Sequence, residues 1–152
     1  MGKSLEYLSR TIALRPAYFD ALIARASVYE VLNQLDEALA DCDRAICLNP
    51  KDVTPWATSG RILFYQKRYQ EAIEAHRRIA RLQPQNWLAW YNIACCHAHL
   101  KELHPALKAL EKAISIAPVE AKKSAASDRD LENLRTMPEF PYLLEYLRLP
   151  DE

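Results

Sequence analysis

The sequence predicts an all-α fold, a solenoid of stacked helix–turn–helix units, and three observations carry that expectation. Pro16, Pro50, Pro84 and Pro118 stand 34 residues apart, three times without a slip. A fixed period of this length marks an array in which each unit buries its apolar face against the next. Apolar residues also recur at helical spacing, and one stands two places before each proline: Leu14, Leu48, Leu82 and Ile116. Finally, the chain has only two Gly among many Ala, Leu, Glu, Lys and Arg, residues that favour helix. Proline cannot continue an α-helix and disfavours helical dihedrals in the residue before it, so each of the four reads as punctuation.

Residues 4–15 read as one helix, with Leu5, Leu8 and Ile12 along a single stripe. In register, this is the second helix of a repeat whose first helix is missing. Residues 1–18 are therefore expected to be a half repeat or cap, or the start of a fragment, and the stripe needs a cover. Residues 19–52 form the first complete unit, with a helix from about Ala17 to Leu32 and a turn over residues 33–36. Asp36 is its expected N-cap, and Leu39, Cys42 and Ile46 line the second helix as far as Leu48. In residues 53–86, Thr54 is the expected cap and Pro55 the first helical residue, with the second helix starting near Tyr69. In residues 87–120, Asn86 is the expected N-cap and His104-Pro105 open the second helix. Residues 121–152 break the period and read as a C-terminal helical cap. A short helix is expected over residues 121–126, another from Asp128 to Arg135 capped by Ser127 or Asp128. A third runs from Pro138 to Leu149, with Phe140, Leu143, Leu144 and Leu147 on one side.

Composition bounds the function. The 152 residues make one domain's worth of chain, and Lys+Arg and Asp+Glu both number 20. That balance argues against a nucleic-acid surface, which needs clustered cationic charge. No apolar run approaches the roughly 20 residues a membrane helix requires, and no charged-then-apolar leader is read at the start. Four Cys in an otherwise ordinary helical chain suggest reduced thiols and a cytoplasmic setting.

The three units resemble the tetratricopeptide repeat family, whose pattern wants a large residue at position four, small at eight, Ala at twenty and Pro at thirty-two. Position four holds Leu22, Trp56 and Trp90; position eight holds Ala26, Gly60 and Ala94. Position twenty holds Ala38, Ala72 and Ala106, and position twenty-seven holds Ala45, Ile79 and Ala113. Short side chains at these places let the two helices of a unit approach closely. The tail, with Asp130-Leu131, Leu134-Arg135, Pro138-Glu139-Phe140 and Leu143-Leu144, is similar to tails that close bacterial arrays of this family. The resemblance implies a right-handed α-α superhelix of three full repeats, preceded by a half repeat and closed by capping helices. Two positions depart from the pattern. Position seven is Arg25 and Ser59 in the first two units, and a buried Arg25 needs a carboxylate partner or marks a looser junction. Position twenty-four is Cys42, His76 and Leu110, and His76 there reads as a packed histidine rather than a base.

No GxSxG, P-loop or GxGxxG motif occurs, and no His–carboxylate–nucleophile set falls in register, so the expectation is a non-enzyme without cofactor. Cys95-Cys96-His97-Ala98-His99 is the one metal-looking stretch. Cys95 and His99 share a helix face at i, i+4, but a structural zinc site needs four ligands and no CxxC or HxxxH accompanies them. Packing is the favoured reading and no metal is expected. Cys42 and Cys47 are read as structural, without a disulfide.

The family resemblance also implies that the first helices line an inner groove. It selects Asp20, Ile23, Ser27, Glu30 and Val31; then Thr54, Ala57, Arg61, Phe64 and Tyr65; then Leu88, Tyr91, Asn92, Cys95, Ala98 and His99. Phe64, Tyr65 and Tyr91 with Arg61 suit an extended or helical peptide, since aromatic and Arg anchors dominate interface energies. Family members that clamp chaperone C-terminal carboxylates use Lys, Arg and Asn at positions occupied here by Ile23, Ser27, Thr58, Leu88 and Asn92. No basic residue is among them, which argues against that ligand. The sequence therefore points to a non-catalytic scaffold for a protein or peptide partner. The alternatives are a structural array that self-assembles through its end helices, and a metal or redox sensor built on Cys95 and His99.

Overall fold

The computed structural model describes residues 1–146, the side chain of Tyr146 excepted. Its elements are α1 (Gly2–Leu14), α2 (Phe19–Val31), α3 (Leu35–Leu48), α4 (Val53–Tyr65), α5 (Tyr69–Leu82), α6 (Trp87–His99), α7 (Leu103–Ile116), α8 (Pro118–Ser127), a 3-10 segment (Arg129–Thr136) and α9 (Glu139–Tyr146). No strand occurs among the described residues. Two compact units emerge, Met1–Gln66 and Lys67–Glu152.

The prolines act as their chemistry dictates. Helices α1, α3, α5 and α7 each end two residues before one, and the intervening residue (Arg15, Asn49, Gln83, Ala117) has left the helical region, with φ between −133° and −144° and ψ between 78° and 85°. Steric conflict between the proline ring and the preceding residue accounts for this. Pro118 does more than stop α7: it is the first residue of α8, where its missing N–H has no helical partner to lose. The turns inside the units recur as regularly, with Asn33, Lys67 and Lys101 at φ of 58°, 60° and 59°. After α2 and α6 the turn is a Schellman closure, in which Gln34 N–H donates to the Tyr29 carbonyl (2.8 Å) and Glu102 N–H to the His97 carbonyl (2.9 Å).

Two expected caps and one expected helix start change. Asp52 and not Thr54 caps α4, its Oδ1 accepting the Thr54 N–H at 2.8 Å, and Val53 is the first helical residue. Asp36 lies inside the first turn of α3, where its charge favours the helix dipole, and its Oδ1 accepts from Gln66 Nε2 at 3.0 Å. Helix α7 begins at Leu103, ahead of His104-Pro105. Asn86 caps α6 as expected, accepting the Ala89 N–H.

In the first unit, Ile12, Ala21, Leu22 and Ala45 form one buried cluster with Leu8, Phe19 and Ile23 against it; Ala26, Ala38, Cys42 and Ile62 form another. The α1 stripe is thus covered by the chain itself, because Leu8 and Ile12 pack onto α2. Arg25 does have a carboxylate. Its Nε and Nη2 donate to Asp41 Oδ2 and Oδ1, both at 2.7 Å, Nη1 donates to Ser9 Oγ at 3.2 Å, and the guanidinium lies 5.5 Å from the Tyr29 ring centre. Asp41 is almost fully buried, and its bond to Arg25 holds the guanidinium's pKa above the usual arginine value.

In the second unit, α6 is the central element. It packs against α5, α7, α8 and the 3-10 segment, and Tyr91, Ile93, Ala94, Cys95, Cys96, His97 and Ala98 are all buried. A helix apolar on every side is one that neighbours enclose. His76 sits in the core as expected, and burial lowers its pKa to about 4. The tail differs in helix type from the expected α-helix over 128–135. It winds as a 3-10 segment, which brings Leu131 and Leu134 to the same side at three residues per turn, both fully buried. Arg135 Nη1 and Nη2 donate to the carbonyls of Ala126 and Ala125 at the end of α8 and of Asp128, and the guanidinium lies 5.6 Å from the Phe140 ring centre. Of the expected last helix, α9 supplies 139–146, and Leu147 to Leu149 lie outside the described residues.

Two outcomes follow from the buried polar groups. Asp41→Ala strands the Arg25 charge and lowers unfolding free energy by about 3 kcal/mol, whereas the apolar pair Arg25→Met with Asp41→Leu recovers most of that loss; urea titration reads both. His76 takes up a proton more readily unfolded than folded, so its contribution is present above its unfolded pKa near 6.5 and is lost as pH falls toward about 4. Stability at pH 5 falls below that at pH 7 by about 2 kcal/mol from this group, and urea midpoints of His76→Leu show a correspondingly smaller decrease.

Candidate functional site

The residues assigned to an inner groove fall in both units. In the first unit, Ser27, Glu30 and Val31 lie one turn apart on α2, and Arg61 and Tyr65 lie at i, i+4 on α4. An ion pair joins the two rows: Arg61 Nε and Nη2 donate to Glu30 Oε1 and Oε2, both at 2.7 Å. The Arg61 pKa is raised, foremost by that bond to Glu30. The apolar surface beside the pair is open, with Val31 64% and Tyr65 67% exposed. Asp20 and Thr54 are also exposed, Ala57 and Phe64 are half-buried, and Ser27 Oγ turns back to the Ile23 carbonyl at 3.1 Å. Ile23 is partly withdrawn, since it packs against the cluster around Leu22.

In the second unit the corresponding face of α6 is not open surface, which corrects the expectation for Tyr91, Cys95 and Ala98. All three are buried, and the chain's own tail lies over them. Tyr91 Oη donates to Asp128 Oδ2 at 2.6 Å, His99 Nε2 stands 2.9 Å from Asp130 Oδ1, and Asn133 Nδ2 donates to the Ala98 carbonyl at 2.9 Å. Asp128 also caps the 3-10 segment, its Oδ1 accepting the Asp130 N–H at 2.9 Å. The His99 ring stacks on Tyr69 with 4.7 Å between centres and 4° between planes, and Tyr91 meets Trp87 edge-on at 5.7 Å. Burial, and then the bond to Asp128, push the Tyr91 phenol well above its ordinary pKa. Burial likewise raises Cys95, with Asp128 and Asp130 adding to it, and pushes the Cys96 thiol up to about 12. Neither thiol is an activated nucleophile. Of the groove set on α6, Leu88 is exposed while Asn92 and His99 are half-buried.

Sequence reasoning missed Asp128, Asp130 and Asn133 as partners of α6. The Asp-x-Asp that opens the 3-10 segment is legible as a capping signature, but its contacts reach back 31 to 37 residues. Nothing in the spacing identifies the far end. All four cysteines are free. No helix among the described residues is long and apolar enough to cross a membrane.

Comparison with known proteins supports the hairpin architecture. One tetratricopeptide repeat model matches residues 60–138 and a second matches 19–52. The chain is 27% identical over 116 residues to the BBSome complex member BBS4 of Bos taurus, which covers 76% of this chain and 22% of the relative. It is 32% identical over 88 residues to the small glutamine-rich tetratricopeptide repeat-containing protein 2 of Mycosarcoma maydis, covering 56% of this chain and 24% of that one. The chain thus spans less than a quarter of the length of either relative. Among solved structures, that of MamA protein is similar with a TM-score of 0.75 and 19% identity, over 97% of this chain and 87% of MamA, a likeness of fold.

Tyr91→Phe removes a hydrogen bond to a charged, half-buried acceptor and lowers stability by about 2 kcal/mol. Amide exchange over residues 129–136 accelerates more than exchange in α1–α3, which marks the loss as a local loosening of the tail.

Proposed function

The chain belongs to the tetratricopeptide repeat family, whose members act as protein-interaction scaffolds, and we propose that it binds a polypeptide partner on the inner helices of its first unit. The observation that carries this is the exposure of Val31, which follows Glu30 on α2, and of Tyr65, one turn after Arg61 on α4, beside the Glu30–Arg61 ion pair. Large apolar side chains held in water by a rigid helical frame offer burial to a partner without an ordering cost in the scaffold. The two-pronged ion pair fixes the positions of both helices' outer side chains, and its carboxylate and guanidinium present one acceptor and one donor edge. Phe64 and Ala57 extend the apolar surface, and Asp20 and Thr54 add exposed polar groups in the first turns of α2 and α4. A peptide or helix with an apolar residue for the Tyr65–Val31 surface and a charged neighbour for the ion pair fits this chemistry. The α6 face takes a different role in this reading: its inner residues hold the tail, while Leu88 stays exposed and Trp87 and Trp90 half-buried.

Self-assembly through α1 is the weaker reading, because Leu8 and Ile12 are spent on α2. Tyr7 and Leu14 remain exposed on that helix, and light scattering over a wide concentration range separates the two readings: an unchanging monomer mass removes self-assembly.

Arg61→Glu with Tyr65→Ala puts two like charges opposite each other and removes the aromatic anchor. Quantitative affinity capture with the intact chain as bait then shows partners reduced roughly tenfold or more, on the scale of a lost anchor residue, while circular dichroism keeps its helical amplitude. Equal capture by variant and parent sinks the groove assignment.

A further inference from the structure

The cluster that the interaction surface does not use lies where α6 meets the start of the 3-10 segment. Cys95 Sγ and one carboxylate oxygen each from Asp128 and Asp130 all lie within 4.8 Å of one another. Zinc is held by thiolate sulfur at about 2.3 Å and by carboxylate oxygen at about 2.0–2.2 Å, so donors sharing one ion stand roughly 3–4 Å apart.

Two further observations favour a cation there. Cys95 is 4% exposed, and its sulfur lies within 4.8 Å of both carboxylates. Two carboxylates converging on a buried sulfur is an arrangement that a divalent cation neutralises. Both carboxylates are also already oriented from outside, Asp128 by the Tyr91 hydroxyl at 2.6 Å and Asp130 by His99 Nε2 at 2.9 Å. Ligating carboxylates are typically held by such outer bonds.

We propose that Cys95, Asp128 and Asp130 bind a zinc ion that ties the tail to α6, with a fourth position left for water or a donor from outside the chain. A thiolate beside two carboxylates suits a borderline-soft cation, and it disfavours calcium and magnesium, which take oxygen ligands only. This differs from the metal-free expectation for Cys95 and His99 because the two Asp ligands come from the tail, beyond any local spacing rule. It is independent of the first unit's interaction surface.

The test uses the full chain, freed of metal by chelation and titrated with Zn2+, and with Co2+ as a coloured substitute. One Zn2+ per chain is expected by elemental analysis after desalting, with a rise in melting temperature that Mg2+ and Ca2+ do not give. Co2+ is expected to produce a sulfur-to-metal charge-transfer absorption that survives Cys47→Ser and disappears in Cys95→Ser. Asp130→Asn, at a half-exposed side chain that can still face His99, weakens zinc binding roughly tenfold or more while circular dichroism stays unchanged. It decides the matter if Cys95→Ser does not fold. Absence of stoichiometric zinc, or binding that persists in Asp130→Asn and Cys95→Ser, or an absorption lost with Cys47, overturns the site and leaves Asp128 as a cap and Asp130 as the partner of His99.

Discussion

The steric conflict between a proline ring and the residue before it is the constraint on which the repeat depends. It ejects Arg15, Asn49, Gln83 and Ala117 from the helical region at equal intervals, and so fixes where four helices stop. Because those stops are evenly spaced, the first helices of the three units are all 13 residues long and the second helices all 14. Equal lengths place the short side chains of each unit at the same heights, so Ala26 reaches Ala38 and Ala94 and Ala106 are both fully buried. Two bonds reuse the stops themselves. Trp56 Nε1 donates to the Pro50 carbonyl and Arg44 Nη2 to that of Pro16, satisfying acceptors the broken helix leaves over.

Arg25 and Tyr91 enter the interior where a complement is present, whereas the Ser59 hydroxyl and His76 Nδ1 are buried with no hydrogen-bond partner among the described residues. Arg25, at a position the family pattern gives to Leu, is admitted by Asp41 on the next helix and by Ser9 on α1. The bonds of this one guanidinium therefore join three helices of the first unit. In the second unit, Tyr91 and His99 are admitted by Asp128 and Asp130 in the same way. Both arrangements trade an apolar contact for a directional one, which specifies one register of the helices involved.

Closing the array has a functional consequence. An end repeat must cover its last apolar face, and here the cover extends from α7 to the face of α6 that carries Tyr91 and Ala98. The inner row of α6 is therefore committed within the chain, while the inner row of α2 and α4 keeps Val31 and Tyr65 in solvent. Two faces that look alike in sequence register differ in what they can offer a partner.

The sequence by itself determined the helix boundaries to within a few residues and the buried small positions. Those depend on proline sterics, helical periodicity and side-chain volume, which act over one or two turns. It also made Arg25's need for a carboxylate legible, though not that Asp41 answers it. Tertiary structure alone decided that Tyr91, Cys95 and Ala98 lie beneath the tail, that Glu30 engages Arg61, and that Asp128 and Asp130 converge on Cys95. Those pairings span 31 residues or more, and no local preference encodes which distant group arrives; only the path of the folded backbone does.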